Sequence, residues 1–398
     1  MGNIVAQEIA KSQASQNLET IRARQAHFIK WNWSKHIDDP VGPEPDRKIL
    51  FAVYVKSVML GDNYCNRESL RSATCKGYAT DAAQLFILRN CPSPFVFSDE
   101  SNWTTILIKN LETEEGIAIQ RRPLNAKIFA AIYEMAKSAS LDSAEAVSCN
   151  VVAVGKQNGW RRGEHSQTKK KEVDYHVYPS GTKVMKSING NDVQFTSLDD
   201  KLFLVKSNSN MSRLKSVKMK FRHQKNRQNN QEVRFHVDKK NPESCSVVNL
   251  AQMVQRKRRL GHSMHLPLTV YLDDTGSVAY LTGDKLTQVI RRAVRKVYPD
   301  MPEKEVQLHS CHSIRVWACV ELFEAGMQPE FIKKRLRWLG ESYRVYLRDT
   351  SNISKQHMQA LQKSATEFME LIDQDICDQM AGLSVEDLDE ENEYDGGD

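Results

Sequence analysis

Residues 312–348 constrain this chain more tightly than any other stretch, because glycine and proline divide an apolar pattern into three short helical pieces. Ile314, Trp317, Ala318, Leu322 and Ala325 repeat with the 3.6-residue period of a helix, and Gly326 is placed to take a left-handed cap. Pro329 opens a second helix with the stripe Ile332, Leu336 and Leu339, and Gly340 closes it. A third helical piece then carries Tyr343 and Tyr346. His312 and Arg315 stand three apart in the first turn, where both face one point and free backbone N–H groups favour an anion. Trp338 and Tyr346 arrive one helix-turn-helix later.

About 150 residues upstream lies Gly159-Trp160-Arg161-Arg162-Gly163-Glu164, a G-x-R-x-x-E pattern that is weak alone. Together the two blocks resemble the tyrosine recombinase (phage integrase) family. Its catalytic domain carries an arginine in such a box, a lysine on a β-hairpin, an H-x-x-R pair, a His or Trp, and a nucleophilic tyrosine. Arg161 matches the first arginine, Glu164 its acidic partner, His312 and Arg315 the H-x-x-R pair, Trp338 the His/Trp position and Tyr346 the nucleophile. Arg337-Trp338, with Tyr346-Leu347-Arg348 eight residues on, looks most like the Crypton group of eukaryotic mobile elements. The family's usual Leu-Gly-His reads Leu336-Arg337-Trp338 here, and His309 admits a slipped H-x-x-H-x-x-R alignment.

The resemblance implies a mainly α fold with a small antiparallel sheet: an all-α core-binding domain that clasps DNA, plus an α+β catalytic domain. The expected division is an arm and linker at 1–46, the core-binding domain at 47–143, the catalytic domain at 144–355, and a C-terminal helix with an acidic tail at 356–398. Thr74, Tyr78 and Phe86 share a helix of the core-binding type. A helix starting near Leu141 and ending close to Gly155 opens the catalytic part. β-Prone runs follow at 175–178, 193–195, 217–221 and 233–237, with a polar turn NRQNNQ between the last two.

The chemistry needs these residue types. Cleaving a phosphodiester builds charge on non-bridging oxygens, which the planar forks of Arg161 and Arg315 are suited to hold. Tyr346 would attack phosphorus, His312 would take or share its proton, and Lys225, at the hairpin tip, would protonate the leaving 5′ oxygen. Lys218 and Lys220 are chemically equivalent to Lys225. Tyr343 is the rival to Tyr346, but lies too close to Trp338 for the family spacing. Trp338 would buttress the tyrosine and offer one N–H. Glu164 reads either as an orienter of the arginines or as a helix-surface glutamate.

The net charge is +6, yet the last fourteen residues, VEDLDEENEYDGGD, hold eight acidic and no basic ones, so the body before them is the basic part. Residues 213–227 carry seven basic and no acidic side chains: Arg213, Lys215, Lys218, Lys220, Arg222, Lys225 and Arg227. Such a density suits a polyphosphate, and double-stranded DNA is the expected partner. Synapsis in the resembled family implies a homotetramer on two DNA sites. Eight cysteines show no C-x-x-C pair, so reduced thiols are expected and neither metal nor cofactor is implied. No transmembrane run or signal peptide is seen, which points to a soluble protein with no membrane partner. The nucleus is the expected location for a eukaryotic mobile element, the cytoplasm otherwise. Lys169-Lys170-Lys171 and Arg256-Lys257-Arg258-Arg259 read as candidate import signals. Two other readings stay open: a domesticated, non-catalytic DNA-binding protein, and a type IB topoisomerase-like enzyme.

Overall fold

Four helices build the first hydrophobic core in the computed structural model, which describes residues 18–41, 46–61, 70–115, 120–178, 181–224, 229–347 and 358. These are α1 (Leu18–Ser34), α2 (Arg47–Leu60), α3 (Ser72–Leu88) and α4 (Trp103–Glu114). Phe28, Trp31, Phe51, Tyr54, Phe86 and Ile108 interlock between them, with the aromatic rings mostly tilted or edge-on. Thr74, Tyr78 and Phe86 lie on α3, as expected. Asn102 caps α4 by accepting from the backbone N–H groups of Thr104 and Thr105. Residues 18–34 are part of this core, because Phe28 and Trp31 lie three apart on one helix face.

The second core begins with α5 (Ala126–Lys137), whose Ile128 and Ile132 pack beside α6 (Ala144–Asn158). Helix α6 is buried on nearly every side. Next come the single turn α7 (Arg162–His165), the hairpin of β1 (Tyr175–Val177) and β2 (Lys183–Met185), and a four-stranded antiparallel sheet. That sheet is built from β3 (Val193–Ser197), β4 (Leu202–Phe203), β5 (Leu214–Phe221) and β6 (Gln231–His236), in the order β4-β3-β5-β6. On β5, Val217, Met219 and Phe221 point into the core, while Lys218 and Lys220 alternate outward. Helix α8 (Ser246–Arg259), the hairpin of β7 (Val270–Leu272) and β8 (Val278–Tyr280), and α9 (Gly283–Val297) complete the surround. The short α10 (Glu303–Val306) leads to α11 (Ser313–Glu324) and α12 (Pro329–Leu336), followed by a 3-10 helix, Glu341–Tyr346. The chain is therefore mainly α with small antiparallel sheets, as the sequence led one to expect.

Several local expectations are corrected. Helix α6 runs past Gly155 to Asn158, and Gly159 ends it at φ +60°. Gly155 is an interior packing residue, since a Cβ there would stand 2.5 Å from Ile314 Cγ2. Helix α12 stops at Leu336 instead of Leu339: Arg337 takes the left-handed turn, and Leu339 is exposed. The third helical piece, which carries both tyrosines, is found as a tight 3-10 helix. Strands β2, β4, β7 and β8 are two or three residues long, too short to show a period-2 pattern. The expected C-terminal helix and tail, 356–398, lie outside the described residues except Met358.

Candidate active site

Helix α11 presents two predicted residues from one turn. His312 is its N-cap and Arg315 follows on the same face. The 3-10 helix returns Tyr346 to this point, so that His312 Nε2 lies 2.9 Å from the Tyr346 hydroxyl oxygen. Tyr343 instead points into a small apolar cluster with Ala318, Ile332, Leu336 and Leu347, and is 2% exposed. Of the two tyrosines, only Tyr346 meets a histidine. His309 is buried against the Glu305 carbonyl, 3.3 Å from its Nδ1, so the slipped alignment does not describe the site.

Trp338 lies between Arg315 and Tyr346. The Arg315 guanidinium sits 4.2 Å from the centre of the indole, and the indole stacks on the Tyr346 ring at 5.7 Å and 26°. Arg315 is almost fully buried and donates to the Gly159 carbonyl and, at 3.0 Å, to that of Leu336. Arg161 precedes α7 and keeps about a fifth of its side chain exposed. It donates to Glu164 Oε1 at 3.1 Å, to Gln224 Oε1 at 3.1 Å and to the Arg337 carbonyl at 2.7 Å. Both guanidinium planes are thus set by carbonyls at the end of α12.

Glu164 is 4% exposed, which excludes the helix-surface reading. It accepts from the backbone N–H of Arg161 at 2.9 Å and from Arg337 at 2.8 Å, besides the Arg161 side chain. Burial works against its charge, but Arg337 and Arg161 outweigh that and hold its carboxyl below the usual range. Removing one partner of so buried a pair typically costs about 3–5 kcal/mol.

Arg337 was not singled out from the sequence as a site residue, though it is 0% exposed. Besides Glu164 it donates to the Asn158 carbonyl at 3.0 Å and packs its guanidinium 3.9 Å from the centre of the Phe221 ring. Its backbone is left-handed, φ +58°, a conformation that costs a non-glycine residue about 1–2 kcal/mol. The signal in the sequence was the departure itself, an arginine where the resembled motif has glycine.

Three guanidinium groups therefore gather around one buried carboxylate, beside a tyrosine. Burial and the neighbouring Arg161 charge pull the Arg315 pKa down to about 9, the mark of a cation that a nearby anion would stabilise. His312 is shifted below its ordinary value by burial, then by Arg315 and Arg121, so it is neutral at neutral pH. Burial pushes the Tyr346 phenol up, against a smaller opposing pull from Arg315. The phenol is protonated at neutral pH, and a neutral imidazole stands within hydrogen-bond reach of it.

The basic stretch is less free than its sequence suggests. Lys215 pairs with Asp200 at 2.6 Å, Lys218 with Glu232 at 3.3 Å, and Arg222 with the buried Asp192 at 2.5 Å. Acids distant in sequence thus neutralise residues read as free phosphate ligands. Arg213 and Lys220 are exposed. Lys225 and Arg227 lie outside the described residues, although Gln224, the residue before Lys225, reaches Arg161. In the second basic run Arg256 and Lys257 are buried, with Lys257 donating to the Leu266 and Pro267 carbonyls, so that run is not an accessible four-residue signal. Among the described residues no group of three or more His, Cys, Asp or Glu is arranged to hold a metal, and no described helix is long and apolar enough to cross a membrane.

No protein-family model and no curated protein matches the chain. Among solved structures it is similar to a Tn1549 transposon integrase in complex with transposon right-end DNA, at 13% identity and TM-score 0.46, over 90% of this chain and 99% of that one. A lambda integrase dimer bound to a core site gives 11% and 0.40, over 88% and 96%. XerA recombinase gives 12% and 0.32, over 85% and 98%.

Proposed function

We propose that this protein is a site-specific DNA recombinase that breaks and rejoins strands through a covalent 3′-phosphotyrosine on Tyr346. The observation that carries the reading is the 2.9 Å contact between His312 Nε2 and the Tyr346 hydroxyl, beside Trp338, whose indole stacks on Tyr346 and faces the Arg315 guanidinium, with Arg161 bonded to the carbonyl of the adjacent Arg337. The scissile phosphate binds at the two arginines, whose unused N–H donors stabilise charge developing on its non-bridging oxygens. Neutral His312 accepts the phenol proton as the Tyr346 oxygen attacks phosphorus and the 5′ oxygen departs. The phosphotyrosine conserves the bond, so a second 5′ hydroxyl can reverse the step and join a new strand. Lys225 is the candidate acid for the leaving oxygen, by its place next to Gln224 on the β5–β6 connection.

The finer reading is a recombinase of the Crypton type, mobilising a transposable element in the nucleus and acting as a homotetramer on two duplexes. It rests on the Arg337-Trp338 and Tyr346-Leu347-Arg348 spacing. The test of the chemistry is a denaturing gel of the protein incubated with the element's terminal DNA. Wild type and Tyr343→Phe should give a protein–DNA adduct, and Tyr346→Phe none. An adduct that survives Tyr346→Phe overturns the assignment. Free relaxation of supercoiled plasmid without a target site would favour a topoisomerase instead.

A further inference from the structure

Arg337 stands at a point where four site residues depend on it, although the proposed chemistry gives it no step. Its guanidinium bonds Glu164 Oε2, which also accepts the Arg161 N–H, and bonds the Asn158 carbonyl at the end of α6. Its own carbonyl receives the Arg161 side chain, and the preceding carbonyl, of Leu336, receives that of Arg315. The next residue, Trp338, stacks on Tyr346. The carbonyls of Leu336 and Arg337 and the approach of Trp338 flank the left-handed backbone at position 337. Arginine has no intrinsic preference for φ +58°, so the turn is maintained by what its side chain holds in the core.

We infer that Arg337 is a positioning residue: its buried guanidinium, locked between Glu164 and Asn158, holds the turn whose carbonyls aim Arg161 and Arg315 at the bound phosphate. This deepens the reading given above and rests on it for the phosphate. Glycine would adopt the same backbone without strain, yet would lose the lock and leave Glu164 with Arg161 as its remaining side-chain partner. Glu164 would then draw Arg161 toward itself and away from the phosphate. The inference separates backbone need from side-chain need, because Arg337→Gly eases the first while abolishing the second.

The experiment compares wild type with Arg337→Gly, Glu164→Gln and the double variant, measuring the adduct formation rate at saturating DNA together with DNA affinity. Arg337→Gly should slow adduct formation at least about tenfold while affinity changes less than about threefold. Adding Glu164→Gln should recover part of the rate, since the uncompensated carboxylate is gone; two merely structural losses would add. A wild-type rate in Arg337→Gly, or a double variant slower than either single, overturns the inference. Should Arg337→Gly not fold, Arg337→Lys takes its place. A single ammonium cannot span Glu164 and Asn158 as a fork does, so a reduced rate is expected, and a wild-type rate overturns the inference.

A second measurement needs no DNA. The stability lost in the position-337 variant should be largest at neutral pH and shrink as pH falls and Glu164 protonates; a loss independent of pH overturns the lock. If wild type forms no adduct, the recombinase reading fails, while this pH-dependent loss still decides whether the lock exists.

Discussion

The indole of Trp338 stacks on the ring of Tyr346, with centroids 5.7 Å apart and planes 26° apart. The indole also meets the Arg315 guanidinium, so one side chain lies between Tyr346, the proposed nucleophile, and an arginine proposed to hold the phosphate. Trp338→Phe keeps a stacking face and should leave adduct formation within about tenfold of wild type. Trp338→Ala frees the tyrosine ring and should cost more than that. Equal rates in Trp338→Ala and wild type, measured by single-turnover gel assay, would show that the stack does not position the tyrosine.

Arg161 and Arg315 each use a planar fork anchored on carbonyls, at Arg337 for the first and at Gly159 and Leu336 for the second. Arg161→Lys and Arg315→Lys should each slow cleavage by at least about 10²-fold, the loss expected when one preorganised donor to a developing oxyanion is removed. Full activity in Arg315→Lys would mean that charge, and not the fork, is what matters.

A pH profile should report His312. Its value is lowered from 6.5 by burial and the neighbouring arginines, so it stays neutral, and able to accept a proton, into mildly acidic solution. The cleavage rate should therefore fall only below pH 6.5, as His312 protonates, and this acid limb should vanish in the residual activity of His312→Gln. A limb centred above that value would contradict the burial argument.

Salt dependence of DNA binding separates free from neutralised charges. Replacing Arg213 and Lys220 together with alanine should flatten the log-log slope by up to about 2 units, if each contacts one phosphate. Lys215→Ala and Arg222→Ala should change the slope less, because Asp200 and Asp192 already hold those side chains. The reverse ranking would mean that DNA displaces these acids from their partners.

The fate of Lys225 can be read chemically. If it protonates the leaving oxygen, Lys225→Ala should cleave ordinary DNA poorly and recover on a substrate with sulfur at the 5′-bridging position, because a thiolate leaves unprotonated. Lys218→Ala and Lys220→Ala should show no such selective recovery.

Local sequence carried the helical character of α11 and α12, the strand alternation on β5 and the three-residue spacing of Arg161 and Glu164, since periodicity and capping act within a few residues of chain. The preference for Tyr346 over Tyr343 came from the spacing in the resembled family, and the fold adds that Tyr346 reaches His312 while Tyr343 is buried. Tertiary structure alone decided which charges are free. Arg337 meets Glu164 across 173 positions of chain, and Lys215 and Arg222 find acids 15 and 30 residues away, pairings that no local pattern encodes. The same holds for the left-handed turn at Arg337, which ended α12 three residues before Leu339. Backbone propensity argues against that conformation in arginine, and it is met in a residue whose side chain is bonded to Glu164 and Asn158 in the folded core.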